Sequence, residues 1–418
     1  MNPPVPKRRR EISPDQAAGS VAGSGSYISD DILFFQILIL LPVKCLVRLQ
    51  SVCKSWRATI TSTHFVRRHL EISRSRSSVV LVPRKYQKEP AKLGSQFVNI
   101  YSFQPGQSKT AKLIFQKKFY PSGIPMFSMP LHCDGLILIP CKTGNIFLCN
   151  PATKEFVELP RGSRNVFFDH SFAFGFDTLS GTYKVARHFV RSYVDKPQID
   201  GVGTIREYSC GHEIMTIGVG KDAWGWKATM DPPYPIKART PICLPGFFYW
   251  SALHSEAGHG HGKVSLNVIL RFSLHSETFT VHPNPPCRGF LSDNDTLSDL
   301  GGKLCYVHSA SPWEIAIWLA EDGPVLDWWL CRRVRLPLPR FLRVCVCASA
   351  DPDKIFLSID AHHLFNCDLS DGSIEKVVDM AHDVLYDHGD GIKFTTGALP
   401  IAHYMVPFVE SLLCIAPW

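Results

Sequence analysis

The densest meeting of imidazole and carboxylate groups in this 418-residue sequence is His382-Asp383, Asp387-His388 and Asp390. Those side chains could exchange protons near neutral pH or hold a cation. Turns are rich in the same residue types, however, and no nucleophile motif stands beside them. His254, His259 and His261 fall in a Gly-rich stretch that reads as a polar loop, with adventitious metal capture as the chemical alternative. Cys133, Cys141 and Cys149 recur every eight residues, and Cys345 and Cys347 fall on one face of a strand. No paired Cys-x-x-Cys knuckles accompany them, so buried thiols are expected in place of a structural zinc site. The sequence also lacks GxSxG, a phosphate loop, a post-strand GxGxxG and HExxH. These residues therefore point to a non-catalytic chain with no metal and no cofactor.

Composition frames the elements that carry them. Hydrophobic residues are 45% and charged residues 20%, which argues against wholesale disorder. The net charge of +8 is unevenly spread. Residues 1–120 hold 20 Lys and Arg against 6 Asp and Glu, and the remainder holds 25 against 31. Residues 1–27 are rich in Pro, Gly, Ser and Ala and read as a disordered basic tail. Within them Lys7-Arg8-Arg9-Arg10 fits either a nuclear-import address or a solvated charge run. The strongest apolar run, residues 32–41, is ten long and is followed by Pro42 and Lys44. A membrane helix needs about 20 apolar residues and a signal peptide needs small residues behind its core, so both readings are rejected. The thiols are then expected to be reduced, and the chain is placed in the nucleus and/or cytoplasm.

Ser29-Asp30-Asp31 supplies a helix start, a hydroxyl N-cap followed by two carboxylates, and Pro42 sets the stop near residue 40. Beyond Pro42, helical spacing joins Val43, Leu46, Leu49, Val52, Trp56 and Ile60, and a last short helix covers 63–70. A module of this size carries more apolar side chains than one small core can hide. The first helix must therefore pack on the rest of the chain or dock another protein. Residues 71–95 read as a linker with a short strand at 79–82. Their cations lack interleaved aromatics and a recognition helix, so no nucleic acid is expected.

From residue 96 the texture is short apolar stretches broken by turn residues. One turn template recurs, with a small polar residue, a polar residue at +3 and an apolar one at +6. It occurs at Asn150–Phe156, Asp177–Tyr183, Ser273–Phe279 and Asp368–Ile374. Further members are expected near Ile217–Trp226 and Ile317–Pro324. A step of about 48 residues suits the blades of a propeller, with kelch-type repeats near 50. Trp224, Trp226, Trp313, Trp318, Trp328 and Trp329 are expected mostly as blade core, with one or two on the ligand face.

Ile28-Ser29-Asp30-Asp31-Ile32-Leu33, Ile37-Leu38, Leu41-Pro42-Val43-Lys44-Cys45-Leu46, Val52-Cys53-Lys54-Ser55-Trp56-Arg57 and His64-Phe65-Val66 resemble the F-box motif in its plant form. Ser29 stands where that family usually has Pro, and Gln36 where it usually has Glu. Cys133-Asp134-Gly135-Leu136, Asn150-Pro151-Ala152-Thr153, Phe174-Gly175-Phe176-Asp177, Tyr183-Lys184-Val185, Trp224-Gly225-Trp226, Phe247-Phe248-Tyr249-Trp250, Leu300-Gly301-Gly302-Lys303-Leu304-Cys305 and the closing Val406-Pro407-Phe408-Val409-Glu410-Ser411-Leu412 resemble the plant F-box-associated domain, a kelch-like β-propeller.

The resemblance implies a multidomain α + β chain: tail 1–27, three-helix F-box 28–70, linker 71–95, mainly β, propeller-like substrate-recruiting domain 96–412 and tail 413–418. It implies a substrate-recognition subunit of a Skp-cullin-F-box ubiquitin ligase. A Skp-type adaptor would be held through Leu33, Ile37, Leu41, Pro42, Val43, Leu46, Val52 and Trp56, some of them also forming the module's own core. Cullin and RING subunits would follow through the adaptor, and an unknown target protein would be held by the β domain. No membrane is involved. The competing reading is a β-propeller enzyme or glycan-binding protein whose helical front packs in cis. A third is an adaptor-binding chain that works outside ubiquitin transfer.

Overall fold

The computed structural model describes residues 29–415 apart from 77, 86–95, 120–128, 142–143, 167–170, 198–203, 219–223, 237–240, 256–264, 288–293, 339–342, 350 and 398–400. The basic tail, Lys7–Arg10 and the histidines His259 and His261 lie outside the described residues.

Ser29 opens the first helical run, its Oγ accepting from the Ile32 N–H at 3.4 Å ahead of Asp30 and Asp31. The run widens to a π turn over Leu33–Ile37 and tightens to a 3-10 turn over Leu38–Leu40. It stops at Leu41, whose extended backbone is what the following proline demands. The spacing read over 43–60 is broken into two helices, Val43–Leu49 and Lys54–Ile60. Cys53 between them is extended, and its Sγ accepts from the Trp56 N–H at 3.5 Å, so a thiol cap restarts the chain as helix. Ser62 caps the helix Thr63–Arg74 in the same way. Phe34 packs edge-on to Trp56 and Phe65 with centroids 5.6 and 6.5 Å away, at the centre of the module's own core.

The remainder forms six antiparallel blades around one axis, in agreement with the expected mainly β propeller. Five are four-stranded, and the sixth sheet adds the short hairpin Leu385–Asp387 and Lys393–Phe394 to its outer edge. The innermost strands are Ile401–Phe408, Leu131–Cys133, Ser171–Asp177, Ile242–Leu244, Thr296–Leu300 and Val344–Ala348, counted as blades one to six. Each blade buries one face against the next. Six apolar clusters result, one per neighbouring pair, from Val80, Ile100 and Ile137 between blades one and two round to Leu364, Val378 and Val79 between six and one.

Ring closure joins distant parts of the chain. Ser78–Lys85 pairs antiparallel with Ile401–Phe408 over eight register positions, from Ser78 opposite Phe408 to Lys85 opposite Ile401. Residues 71–85, the described part of the expected linker apart from 77, are therefore built into the fold, and the short strand expected at 79–82 is a longer one, Ser78–Lys85. They hold the last turn of a helix and the second strand of blade one. Residues 413–415 are likewise no free tail, because Ile415 is buried among Leu148, Leu159 and Phe172 between blades two and three.

The turn template marks real hairpins. Asn150, Ser273 and Asp368 each end the third strand of a blade, and the two suspected members at 217 and 317–324 fall at the same place in blades three and five. Asp177 is the exception, closing the first strand of blade three. The side chains act as expected of such turns: Asp177 Oδ1 accepts from the Leu179 N–H, and Asp368 Oδ1 from the Ser370 N–H.

Three fully enclosed histidines bear on stability. Burial holds His188 and His403 down at about 4 and His212 at about 3. His403 packs between the closing strand and blade six, its Nδ1 3.2 Å from the Ala361 carbonyl and its Nε2 2.9 Å from Thr396 Oγ1. A lowered imidazole pKa stabilises the fold above the unfolded value and loses that contribution as pH falls toward the folded one. Melting followed by calorimetry should show stability climbing from about pH 4 to about pH 7, with proton uptake on unfolding at pH 5. A flat profile across that window would contradict the enclosed, neutral state of these rings.

Candidate functional site

The helical module has a core side and an uncovered side. Val43 and Leu46 are fully buried beside Leu38, Ile39, Ile60 and Phe65. They are core, so neither is a surface contact as the module stands, and they are among the members of the expected set that form the module's own core. Leu33, Leu41 and Trp56 are half-buried around the same cluster, and Pro42 is exposed. Ile37 and Val52 are uncovered, and Ile32, Leu40 and Val47 join them, so five apolar side chains stand 38–58% exposed. The last three were not singled out from the sequence. Their signal was present: Ile32 and Leu40 belong to a run apolar all round, and Val47 lies off the buried Val43–Leu46 stripe, next to Arg48.

The opposite side of the module sits on the propeller. The Arg74 guanidinium is paired with Asp134 in the first turn of blade two at 2.8 Å, and the Tyr183 hydroxyl donates to the same carboxylate at 3.0 Å. Arg76 donates to the Leu40 carbonyl at 2.9 Å, and Ala152 and Leu412 pack against the module's core. The first alternative for the apolar excess, packing on the rest of the chain, therefore holds for part of the module, while the five side chains named above stay uncovered.

The contacting turns join first to second and third to fourth strands, which assigns the module to one face of the ring. The opposite face is built from the second-to-third turns. There blade five presents Trp313, 48% exposed, between Lys303–Ser311 and Glu314–Ala320. Trp224 is buried and Trp226, Trp318 and Trp328 are half-buried, as blade core requires, while Trp329 is exposed on an outer strand. Along the axis the innermost strands enclose a channel of about 1070 Å³ whose lining includes Leu131, Ile242, Leu297, Val346, Met405 and Arg74.

The imidazole–carboxylate cluster does not converge. His382 Nδ1 lies 3.2 Å from Asp379, whereas His388 Nε2 meets the Tyr101 hydroxyl at 2.6 Å. Asp383 accepts from the Asp379 N–H, Asp387 from the Gly389 N–H and Asp390 from the Ile392 N–H. Each carboxylate is occupied in shaping a turn. Cys141, Cys149 and Cys347 are buried, with burial pushing Cys141 and Cys347 up to about 12. Among the described residues no group of three or more His, Cys, Asp or Glu is placed to hold a metal ion.

Two family models match this architecture: the F-box domain over residues 30–68 and the F-box associated beta propeller domain over 87–362. The chain belongs to the F-box-associated β-propeller family. Its relatives in Arabidopsis thaliana include F-box protein At3g07870, 27% identical over 77% of this chain and 76% of that one. F-box protein At5g10340 is 26% identical over 71% and 67%. Among solved structures, an oligogalacturonate lyase in complex with manganese is similar at a TM-score of 0.39 and 10% identity, covering 72% of this chain and 85% of that one. A likeness that distant carries no argument about activity.

The division of the F-box into core and open surface can be measured directly. Leu46→Ala should cost about 2–5 kcal/mol, while Val52→Ser should stay within about 0.5 kcal/mol. Native-state hydrogen exchange over residues 30–74 reads both. Equal effects at the two positions would erase the distinction.

Proposed function

We propose that this chain is the substrate-recognition subunit of a Skp-cullin-F-box ubiquitin ligase. The observation that carries the reading is the open apolar patch of Ile32, Ile37, Leu40, Val47 and Val52 on a domain of the F-box family. Several large apolar side chains left uncovered on one small, otherwise well-packed domain mark a protein–protein contact. A Skp-type adaptor is the partner proposed for it, with half-buried Leu33, Leu41 and Trp56 and exposed Pro42 at the edge. Cullin and RING subunits follow through that adaptor.

The work done is positional. Holding a target beside a ubiquitin-charged enzyme replaces a bimolecular encounter with an effectively intramolecular one. No step asks this chain for a nucleophile or a base, and among the described residues the His382–Asp390 carboxylates shape turns while Cys141, Cys149 and Cys347 are buried. The target is proposed to bind the face away from the F-box, where Trp313 offers a rigid aromatic anchor. Residence in the nucleus and/or cytoplasm is part of the same proposal, supported by fourteen cysteines of which none forms a disulfide.

Co-purification with a Skp adaptor tests the reading. The double change Ile37→Asp/Val52→Asp should abolish a stoichiometric complex while circular dichroism and melting stay as in wild type. A folded wild-type chain that forms no complex would overturn it. For the target face, Trp313→Ala should weaken capture at least about 30-fold, the loss of one hot-spot residue. A target that also accumulates in cells carrying the F-box double variant would identify the cargo.

A further inference from the structure

After its closing strand the chain does not leave the molecule. Residues 409–415 cross from blade one to blade two beneath the F-box and make three separate attachments. Glu410 reaches the helix Val43–Leu49, where its Oε2 accepts from the Val43 N–H at 3.1 Å. That helix begins at Pro42, which has no side-chain cap to offer, and its first turn holds no acidic residue. A carboxylate from more than 360 positions away thus serves one of the donors that a helix start leaves without an intrahelical partner, at its positive end. Leu412 is buried in the F-box's own core with Phe34, Leu38 and Phe65. Ile415 is buried between blades two and three, and its N–H and the Cys414 thiol both donate to Glu155.

The path between these anchors is held by buried groups. The fully enclosed Asn150 amide donates to the Ser411 carbonyl at 3.0 Å and the Leu413 carbonyl at 2.8 Å. Gly135, at φ +85°, lets the strap lie flush on blade two. A Cβ there would stand 2.4 Å from the Val409 oxygen and 2.6 Å from Ser411 Cβ. The same strand that closes the ring, Ile401–Phe408, feeds directly into this strap.

We propose that residues 409–415 are an in-cis ligand of the F-box that couples adaptor capture to closure of the propeller ring, with Glu410 and Leu412 as positioning residues. The inference rests on the adaptor-binding reading above. Neither residue belongs to the open patch, so each acts on the adaptor only through the F-box. Seating the strap completes the core and caps the helix behind the patch. A released strap leaves both unfinished. Linkage then requires the reverse effect, with bound adaptor tightening the strap.

The test uses the full chain, wild type beside Leu412→Ala, Glu410→Ala and Glu410→Gln. Hydrogen exchange is followed over 30–74, over the blades and over 409–415, and adaptor affinity is measured by titration calorimetry with purified Skp adaptor. In both Ala variants F-box amides should exchange faster with the blades unchanged, and the adaptor Kd should rise about tenfold. Gln at 410 keeps an oxygen for the Val43 N–H and should recover most of the affinity. Saturating adaptor should slow exchange at 409–415 in wild type. Wild-type exchange and affinity in the Ala variants would overturn the proposal. Should Leu412→Ala loosen the blades as well, the solvent-facing Glu410→Ala decides. Should wild type bind no adaptor, the ligase reading falls while the exchange pattern still rules on the strap.

Discussion

The pairing of Ser78–Lys85 with Ile401–Phe408 is the constraint on which the rest of the molecule depends. A propeller blade is apolar on both faces and is stable only between two neighbours. An open chain of six would leave the first and last with a bare face each. The eight-position register removes both bare faces by making one blade from the two ends of the domain. Its apolar side chains Val79, Leu81 and Met405 then pack on Cys347, Leu364 and Val378 of blade six. Closing so long a loop costs conformational entropy that grows only slowly with length, whereas the apolar area buried at the seam is that of a full interblade face.

Closure also decides where the F-box sits. The helix Thr63–Arg74 ends four residues before the strand Ser78–Lys85 begins, so the F-box is delivered to the edge of the closing strand pair. The strand Ile401–Phe408 runs antiparallel to it and emerges at that same edge, carrying residues 409–415 underneath the helices. Both connections are short and both are bonded, by Arg74 to Asp134 on one side and Asn150 to the strap on the other. A small helical module that could not bury its own apolar excess gains a floor from the propeller, and only the side facing away keeps that excess.

What was legible in the sequence is what local chemistry specifies. Ser29 with Asp30 and Asp31 marked the helix start, Pro42 its stop, and the +3/+6 polar–apolar spacing marked hairpins at 150, 273 and 368. The errors share a physical cause. Residues 79–82 looked like a short strand inside a linker because their partner lies more than 300 positions away. Periodicity reports which face is apolar but not what covers it. The division of the eight F-box positions between core and contact, with Val43 and Leu46 in the core, stayed open on the same ground, since an apolar stripe reads alike whether the module's own core or a partner covers it. The break at Cys53 was hidden because a thiol is an unusual N-cap. Among the site residues, Ile37 and Val52 could be named from the motif. The contributions of Glu410 and Leu412 could not, for a carboxylate and a leucine near a closing strand carry no mark of the helix they serve.

The absence of a linker changes what positional catalysis means here. Two modules on a flexible tether sample many separations, and their effective concentration falls as the tether lengthens. Only three residues separate the last F-box helix from the first propeller strand, and contacts on either side of that connection hold the two bodies together. Under the proposed function, the span from the adaptor patch to Trp313 on the far face is then set by the ring itself. A target would be offered at one height and one angle, so acceptor lysines would be selected by where they project from the bound protein. Selection by reach needs no recognition of the lysine's surroundings. It needs a frame stiff enough to have a single length, and a closed ring with six packed seams supplies one.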